Sequence, residues 1–144
     1  MTTHFLFREG EWKGCGQVSF SASPEVLPFT TYWAVSDLGG RQFRAVQKVE
    51  IPDQNAQTNV FTITERTPGE FQVFLENDSL GVFSGDGVCD DHQIAWEFAH
   101  YGALEGLEVY EKTGEDEYSF RAEYTGGDEY TTVVHGVLTK VETK

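Results

Sequence analysis

Apolar and polar residues alternate along short runs of this chain, and turn residues interrupt the runs at fairly even intervals. The turns carry Gly, Asn, Asp or Pro, as at Asp37–Gly40 and Thr125–Asp128. A period of two predicts β-strands with one buried face. The runs are Trp12–Ala22, Phe29–Ser36, Gln42–Ile51, Asn59–Glu65, Phe71–Glu76, Leu80–Val88, Ile94–Tyr101, Leu104–Lys112, Tyr118–Tyr124 and Tyr130–Val141. The pattern predicts an all-β protein of about ten strands, in which only Thr3–Gly10 and Ser23–Leu27 could hold a helical turn.

Ten short strands with hairpin connections must protect their edges, and closure into a barrel removes the edges altogether. We therefore expect a single antiparallel up-and-down barrel that forms one domain over residues 1–144. The interior of a barrel of this size is either filled by side chains or holds one small ligand.

The inward face of each strand is predicted from its more apolar alternate set. The resulting sets are rich in aromatic rings and contain a few polar atoms, a composition typical of sites for small apolar ligands. The alternative is that the same rings only pack against one another. The predicted ligand-binding residues on these faces are Trp33, Phe43, Gln47, Trp96, His100, Tyr118, Phe120 and Tyr124.

One local motif, Gly10-Glu-Trp12-Lys-Gly14-Cys-Gly16, opens the first predicted strand. A period of two places Trp12, Gly14 and Gly16 on one face of that strand. Glycine inside a strand indicates that a bulky group or another backbone lies close to it. We expect Gly10, Trp12, Gly14 and Gly16 to form the closed end of the barrel.

The same string resembles the N-terminal Gly-x-Trp-x-Gly-x-Gly signature of the nitrobindin family, and its first three positions resemble the Gly-x-Trp hallmark of lipocalins and other calycins. Pro24–Phe29 is similar to the Pro-x-x-x-Pro-Phe stretch of nitrobindins. The resemblance implies a meandering barrel with an interior cavity. The segment His135–Lys140 resembles the nitrobindin segment whose histidine ligates haem iron, although the spacing of its apolar positions differs. This resemblance would make haem a cofactor held through His135.

The orientation of His135 stays open, because both alternate faces of the last predicted strand are half apolar. An inward His135 would be an iron ligand or a polar anchor for a ligand. An outward His135 would be an ordinary exposed strand residue. His4 and His92 lie outside the predicted strands, and we expect them in solvent.

Charge and cysteine content restrict the partners. The chain has 24 acidic and 10 basic residues, a formal net charge of -14, which disfavours nucleic acid and anionic membrane surfaces. No apolar run approaches the length of a membrane span. The two cysteines, Cys15 and Cys89, are expected to be free thiols in a reducing cytoplasm. A homodimer is left open.

Motifs of known catalytic or metal sites are absent from the sequence. The segment Gly85–His92 is interpreted as a hairpin turn, and Glu97 is expected to face water. No catalytic or metal-binding residue is assigned. The leading hypothesis is a cytoplasmic barrel that binds one small hydrophobic or haem-like ligand. The alternatives are a barrel enzyme that uses inward carboxylate and tyrosine groups, and a filled barrel that acts through its surface.

Overall fold

The computed structural model describes residues 4–21, 23–77, 81–98, 104–126 and 131–141. Within these ranges the chain forms one 3₁₀ turn, Phe5–Phe7, and ten strands. The all-β prediction is confirmed. The strands are β1 (Gly10–Phe20), β2 (Val26–Gly39), β3 (Gln42–Glu50), β4 (Gln57–Thr67), β5 (Glu70–Asn77), β6 (Gly81–Cys89), β7 (Gln93–Phe98), β8 (Leu104–Gly114), β9 (Glu117–Gly126) and β10 (Thr131–Lys140).

Every strand pairs antiparallel with its neighbours in the chain, and β1 pairs with β10 to close the ring. This is the predicted up-and-down barrel. In this ring β3 and β8 face each other, because β4 to β7 separate them on one side and β2, β1, β10 and β9 on the other. Among the described residues, no helix is long and apolar enough to cross a membrane.

The seam between β1 and β10 depends on two glycines. Gly16 and Gly136 are partners in the register of the two strands. A Cβ atom at Gly16 would overlap the carbonyl oxygen of His135, and one at Gly136 would overlap that of Cys15. The Gly-x-Gly part of the motif therefore permits a close approach of two backbones where the barrel closes.

The 3₁₀ turn is inserted into the end of the barrel where β1 begins. Phe5 and Leu6 are fully buried there. The Phe5 ring lies 5.7 Å from the Trp12 ring and 5.3 Å from the Tyr118 ring, measured between centroids. This end is consequently closed by aromatic packing around Trp12. The other predicted helical turn, Ser23–Leu27, is wrong, since β2 already begins at Val26.

His4 precedes the turn and is buried, so the expectation that it lies in solvent is wrong. Its side chain is 1% exposed. Its Nε2 lies 2.6 Å from the carbonyl oxygen of Asp90, and its Nδ1 lies 2.9 Å from the hydroxyl of Tyr118. Because a carbonyl oxygen only accepts, Nε2 carries the proton and Nδ1 accepts from Tyr118. His4 thus fixes the 3₁₀ turn Phe5–Phe7, which is the plug of this end of the barrel, to the strands around it. His92 is exposed, as expected.

The predicted orientation of side chains is confirmed on five strands. The inward sets on β1, β2, β3, β7 and β9 are buried or half-buried, as the alternation predicted. On β10 the inward face carries Thr132, Val134 and Leu138, and His135 lies on the outer face, exposed to solvent. Glu97 also faces outward.

The interpretation of Gly85–His92 as a hairpin turn holds only for residues 90–92, which form a tight turn between β6 and β7, whereas residues 85–89 belong to β6. The Asp90 side chain accepts the backbone N–H groups of His92, at 2.8 Å, and Gln93, at 3.0 Å. An aspartate that bonds to the backbone two and three residues ahead is typical of such turns.

Candidate functional site

A cavity of about 600 Å³ occupies the half of the barrel opposite the plug. Gln54 and Gln57 line it and are exposed, so the cavity reaches the protein surface. Its volume lies within the range of about 300–1,000 Å³ that is usual for small-molecule sites. The barrel is therefore packed in one half and hollow in the other. The apolar wall is formed by Phe20, Phe29, Val49, Phe61, Leu75 and Phe120.

The floor of the cavity is a column of stacked rings. The Tyr110 ring stacks on Phe120, with centroids 5.1 Å apart and planes 23° apart. On its other side Tyr110 stacks on Trp96 at 5.1 Å and 14°. The column forms because Tyr110 pairs with Phe120 in the register of β8 and β9, which places the two rings side by side on the inner face. The floor is thus flat and tightly packed.

A buried carboxylate stands beside this column. Glu108 lies on the inner face of β8, is 4% exposed and lines the cavity. Its Oε1 accepts the hydroxyl proton of Tyr110 at 3.0 Å, and its Oε2 accepts the indole N–H of Trp96 at 3.2 Å. The Tyr124 hydroxyl also donates to Oε2. Three donors satisfy a charge that would otherwise be very costly to bury.

Burial controls the protonation of this cluster. It raises the pKa of Glu108, and the three donated hydrogen bonds oppose that rise. Burial and the adjacent carboxylate raise the pKa of Tyr110 and Tyr124 well above their usual value. The two phenols consequently remain protonated, which keeps them available as donors to Glu108.

A glycine makes room for the Tyr124 ring. Gly106 is the register partner of Tyr124 on the neighbouring strand. A Cβ atom at Gly106 would lie 2.6 Å from two atoms of that ring. Because position 106 has no side chain, Tyr124 can lie across β8 and bring its hydroxyl to Glu108.

The opposite wall of the cavity carries a chain of side-chain amides. Asn77 donates to Asn59 at 2.6 Å, Asn59 donates to Gln47 at 3.0 Å, and Gln47 donates to Thr31 at 3.0 Å. The four side chains lie on β5, β4, β3 and β2, so each bond spans two adjacent strands. Since β3 faces β8 across the ring, this amide chain lies opposite Glu108.

The residues predicted to bind a ligand divide into three groups. Gln47, Phe120 and Tyr124 line the cavity. Trp33, Phe43, Trp96 and Tyr118 are buried in the packed half and do not line it, which corrects their assignment to the cavity wall. His100 lies outside the described residues.

The structure has His135 in the outward one of the two orientations that the sequence left open, which corrects its place among the candidate ligand-binding residues and excludes haem ligation by this residue inside the barrel. Its side chain points away from the interior. No histidine in the described part of the chain lines the cavity. In those same ranges no three His, Cys, Asp or Glu side chains are close enough to hold a metal ion. The cavity residues therefore do not fit a haem held by His135.

Sequence reasoning missed Glu108, Asn59 and Asn77. On β8 the outer residues Leu107 and Val109 are more apolar than their inward neighbours, so the alternation predicts the wrong face of this strand as inward. The available signal was the spacing Gly106-x-Glu108-x-Tyr110, which puts a glycine and a ring on the same face as the carboxylate. The same combination of glycine and ring occurs on the inner face of β1.

Comparisons with known proteins identify the fold. No family model and no curated protein matches the sequence. Among solved structures, the S-type phycobiliprotein lyase CPES from Guillardia theta has a TM-score of 0.71 at 8% identity, covering 94% of this chain and 89% of that one. Rv2717c from M. tuberculosis has a TM-score of 0.74 at 14% identity, with 93% and 92% covered.

A third structure, EF1p2_mFAP2b bound to DFHBI, has a TM-score of 0.53 at 14% identity, with 94% of both chains covered. At such identities the likeness concerns the fold alone. The chain is a ten-strand antiparallel barrel of the calycin-like type.

Proposed function

We propose that this barrel binds one small, largely apolar molecule in its hollow half. The observation that carries the proposal is the cavity of about 600 Å³, which has an aromatic floor and polar groups on two facing walls. Apolar walls with a few placed polar groups are typical of sites that bury a small ligand and fix its orientation. Glu108 and the amide chain from Asn77 to Gln47 would supply that orientation.

Two structural neighbours support a small-molecule role. EF1p2_mFAP2b is bound to the small molecule DFHBI, and CPES is a phycobiliprotein lyase. A barrel of this fold is thus compatible with a small-molecule ligand. We propose that the likeness to nitrobindin extends only to the architecture of the barrel. Both motif residues have structural roles, because Trp12 packs at the closed end and Gly16 lies where β1 pairs with β10.

The test is binding of a neutral apolar dye to the wild-type protein and to a variant whose cavity is filled. Ala122 lines the cavity and is 4% exposed, so Ala122→Trp would occupy the space that the dye needs. Val137→Trp is the matched control, because Val137 is 45% exposed on the outside of the barrel. Fluorescence titration gives the affinity, and native mass spectrometry gives the stoichiometry.

We expect one dye molecule for each wild-type chain, affinity at least about tenfold weaker in Ala122→Trp, and unchanged affinity in Val137→Trp. Circular dichroism must show that both variants are folded. Equal binding by all three proteins would place the dye on the surface and contradict the proposal, as would the absence of dye binding to the wild type.

A second candidate function is an enzyme that moves a proton on the bound molecule. One observation favours it: Glu108 and the hydroxyls of Tyr110 and Tyr124 converge at the cavity wall. Small molecules extracted from wild-type protein and from Glu108→Gln would be compared by mass and retention time. If wild-type protein converts the molecule extracted from Glu108→Gln into the molecule extracted from the wild type, the enzyme is favoured. If the molecule is unchanged, simple binding is favoured.

A further inference from the structure

We infer that the preferred ligand of the cavity is an apolar cation, with its positive charge on or next to a nitrogen, and that Glu108 is its counter-ion. This inference rests on the proposed function, since it names the class of ligand for the same cavity. It follows from the hydrogen bonds and the charge distribution around Glu108.

The carboxylate retains capacity to bind a further group. A carboxylate oxygen accepts about two hydrogen bonds. From the residues that the structure describes, Oε2 accepts two, from Trp96 and Tyr124, whereas Oε1 accepts one, from Tyr110. Since Glu108 lines the cavity, the second acceptor position of Oε1 is available to the positively charged group of a ligand, whether or not that group carries an N–H bond.

Within the part of the chain that the structure describes, no basic side chain pairs with Glu108. Among the described cavity-lining residues, Glu108 alone is ionisable as an acid or base near neutral pH, and none is Lys or Arg. The nearest basic residue on the same face of β8 is Lys112, four residues or about 13 Å along the strand. Lys112 lies at the closed end of the barrel, where its positive charge helps to lower the pKa of His4. All three partners of Glu108 are neutral donors.

An uncompensated charge in an apolar interior favours a ligand of opposite sign. The interaction is strong there because water, which would screen it, is excluded. The rings of Tyr110 and Phe120 in the floor add a surface on which a flat cation can lie. An anionic ligand would meet the same carboxylate and be repelled. The amide chain on the facing wall would take a neutral polar group at the other end of the ligand.

The test compares thioflavin T, a flat apolar cation, with its neutral parent, the same molecule without the N-methyl group on the thiazole ring. Titrations are made with the wild type, Glu108→Gln and Glu111→Gln. The last variant is the matched control, because it removes the same charge from the exposed face of the same strand. All titrations are repeated in concentrated salt, which screens the exposed part of the net charge of -14 and affects a buried pair much less.

We expect the wild type to bind thioflavin T about tenfold or more tightly than the neutral parent, also in concentrated salt. Glu108→Gln should abolish that preference, so that the two dyes bind this variant with affinities within about twofold of each other. Glu111→Gln should behave like the wild type. The preference of the wild type can be measured even if Glu108→Gln does not fold.

Two results would overturn the inference in distinguishable ways. Equal affinity of the wild type for both dyes, or a preference lost in concentrated salt, would show that Glu108 only holds Trp96 and Tyr124 in place, and the proposed function would stand. If neither dye bound to the wild type, the proposed function itself would fail and the inference with it.

Discussion

The indole nitrogen of Trp96 lies 3.2 Å from Oε2 of Glu108. This hydrogen bond joins the two halves of the barrel, because Trp96 belongs to the packed half and Glu108 lines the cavity. The indole nitrogens of Trp12 and Trp33 have no acceptor within the described residues, so the tryptophan beside the cavity differs from the other two. The polar groups of the candidate site are therefore anchored in the aromatic core.

The stability of the protein should depend on pH through Glu108. Its pKa in the folded protein is raised above 4.5, chiefly by burial, so the folded state holds the proton more tightly than the unfolded state. The free energy of unfolding therefore falls as pH rises from about 4.5 through the raised pKa. The titratable groups that face Glu108 are Tyr110 and Tyr124, and both stay protonated in this range.

Urea unfolding of the wild type and of Glu108→Gln over this pH range would measure the effect. We expect the wild type to lose stability relative to Glu108→Gln as pH rises, because glutamine does not titrate. Glu111→Gln, on the exposed face, should track the wild type. If the difference in the free energy of unfolding between wild type and Glu108→Gln did not change with pH, Glu108 would have the same pKa in the folded and the unfolded protein.

His4 should give the opposite pH dependence at the closed end. Burial is the largest cause of its lowered pKa, and the charged groups that face it are Asp90, Asp91 and Lys112. Its folded-state pKa lies below 6.5, so neutral His4 contributes its full stability above pH 6.5 and loses it as pH falls through the lowered value.

We expect His4→Gln to cost about 1–3 kcal/mol at neutral pH, because glutamine cannot replace both hydrogen bonds. The difference from wild type should shrink below pH 6.5. The exposed His92 offers a control, as His92→Gln should leave the free energy of unfolding unchanged. If His4→Gln left the free energy of unfolding unchanged at neutral pH, the hydrogen bonds of His4 would not stabilise the closed end of the barrel.

Gly16→Ala tests the seam of the barrel. The added methyl group would overlap the carbonyl oxygen of His135, and the two strands would have to separate. We expect a loss of about 2–3 kcal/mol or more in the free energy of unfolding. Gly114→Ala is the control, since a Cβ atom there lies at an ordinary 3.6 Å from Glu117. Equal stabilities of the two variants in urea would contradict the close approach of β1 and β10.

Asn59→Leu tests the amide chain. The substitution removes the donor to Gln47 and the acceptor for Asn77, and both of these side chains are buried. A loss of about 2 kcal/mol in the free energy of unfolding is expected. Thr58→Leu changes the exposed neighbour on the same strand and should have little effect. If the Asn59→Leu variant were as stable as the wild type, the amide bonds would contribute no net stability.

Much of the fold was predictable because apolar and polar residues alternate regularly on several strands. Trp33 and Phe120 belong to alternate sets that are mostly apolar, so both inward faces were assigned correctly. On β10 the alternation is ambiguous, and the facing of His135 could not be decided from the sequence. His4 has no periodic pattern around it, and its burial depends on Tyr118, which is 114 residues away.

The site was less predictable than the fold. A carboxylate is buried on β8 because donors reach it from β7 and β9, and neither donor lies near it in sequence. The contact also requires the register that sets Tyr124 opposite Gly106. Alternation identifies the face of a strand, but it carries no information on how side chains from neighbouring strands meet.

The most direct test of a ligand-binding barrel is a crystal structure of the protein with the neutral parent of thioflavin T. We expect one dye molecule inside the barrel, on the floor of Tyr110 and Phe120, between the walls that carry Glu108 and Gln47. An interior filled by rearranged side chains, with the dye absent or bound only on the outer surface, would contradict the proposed function.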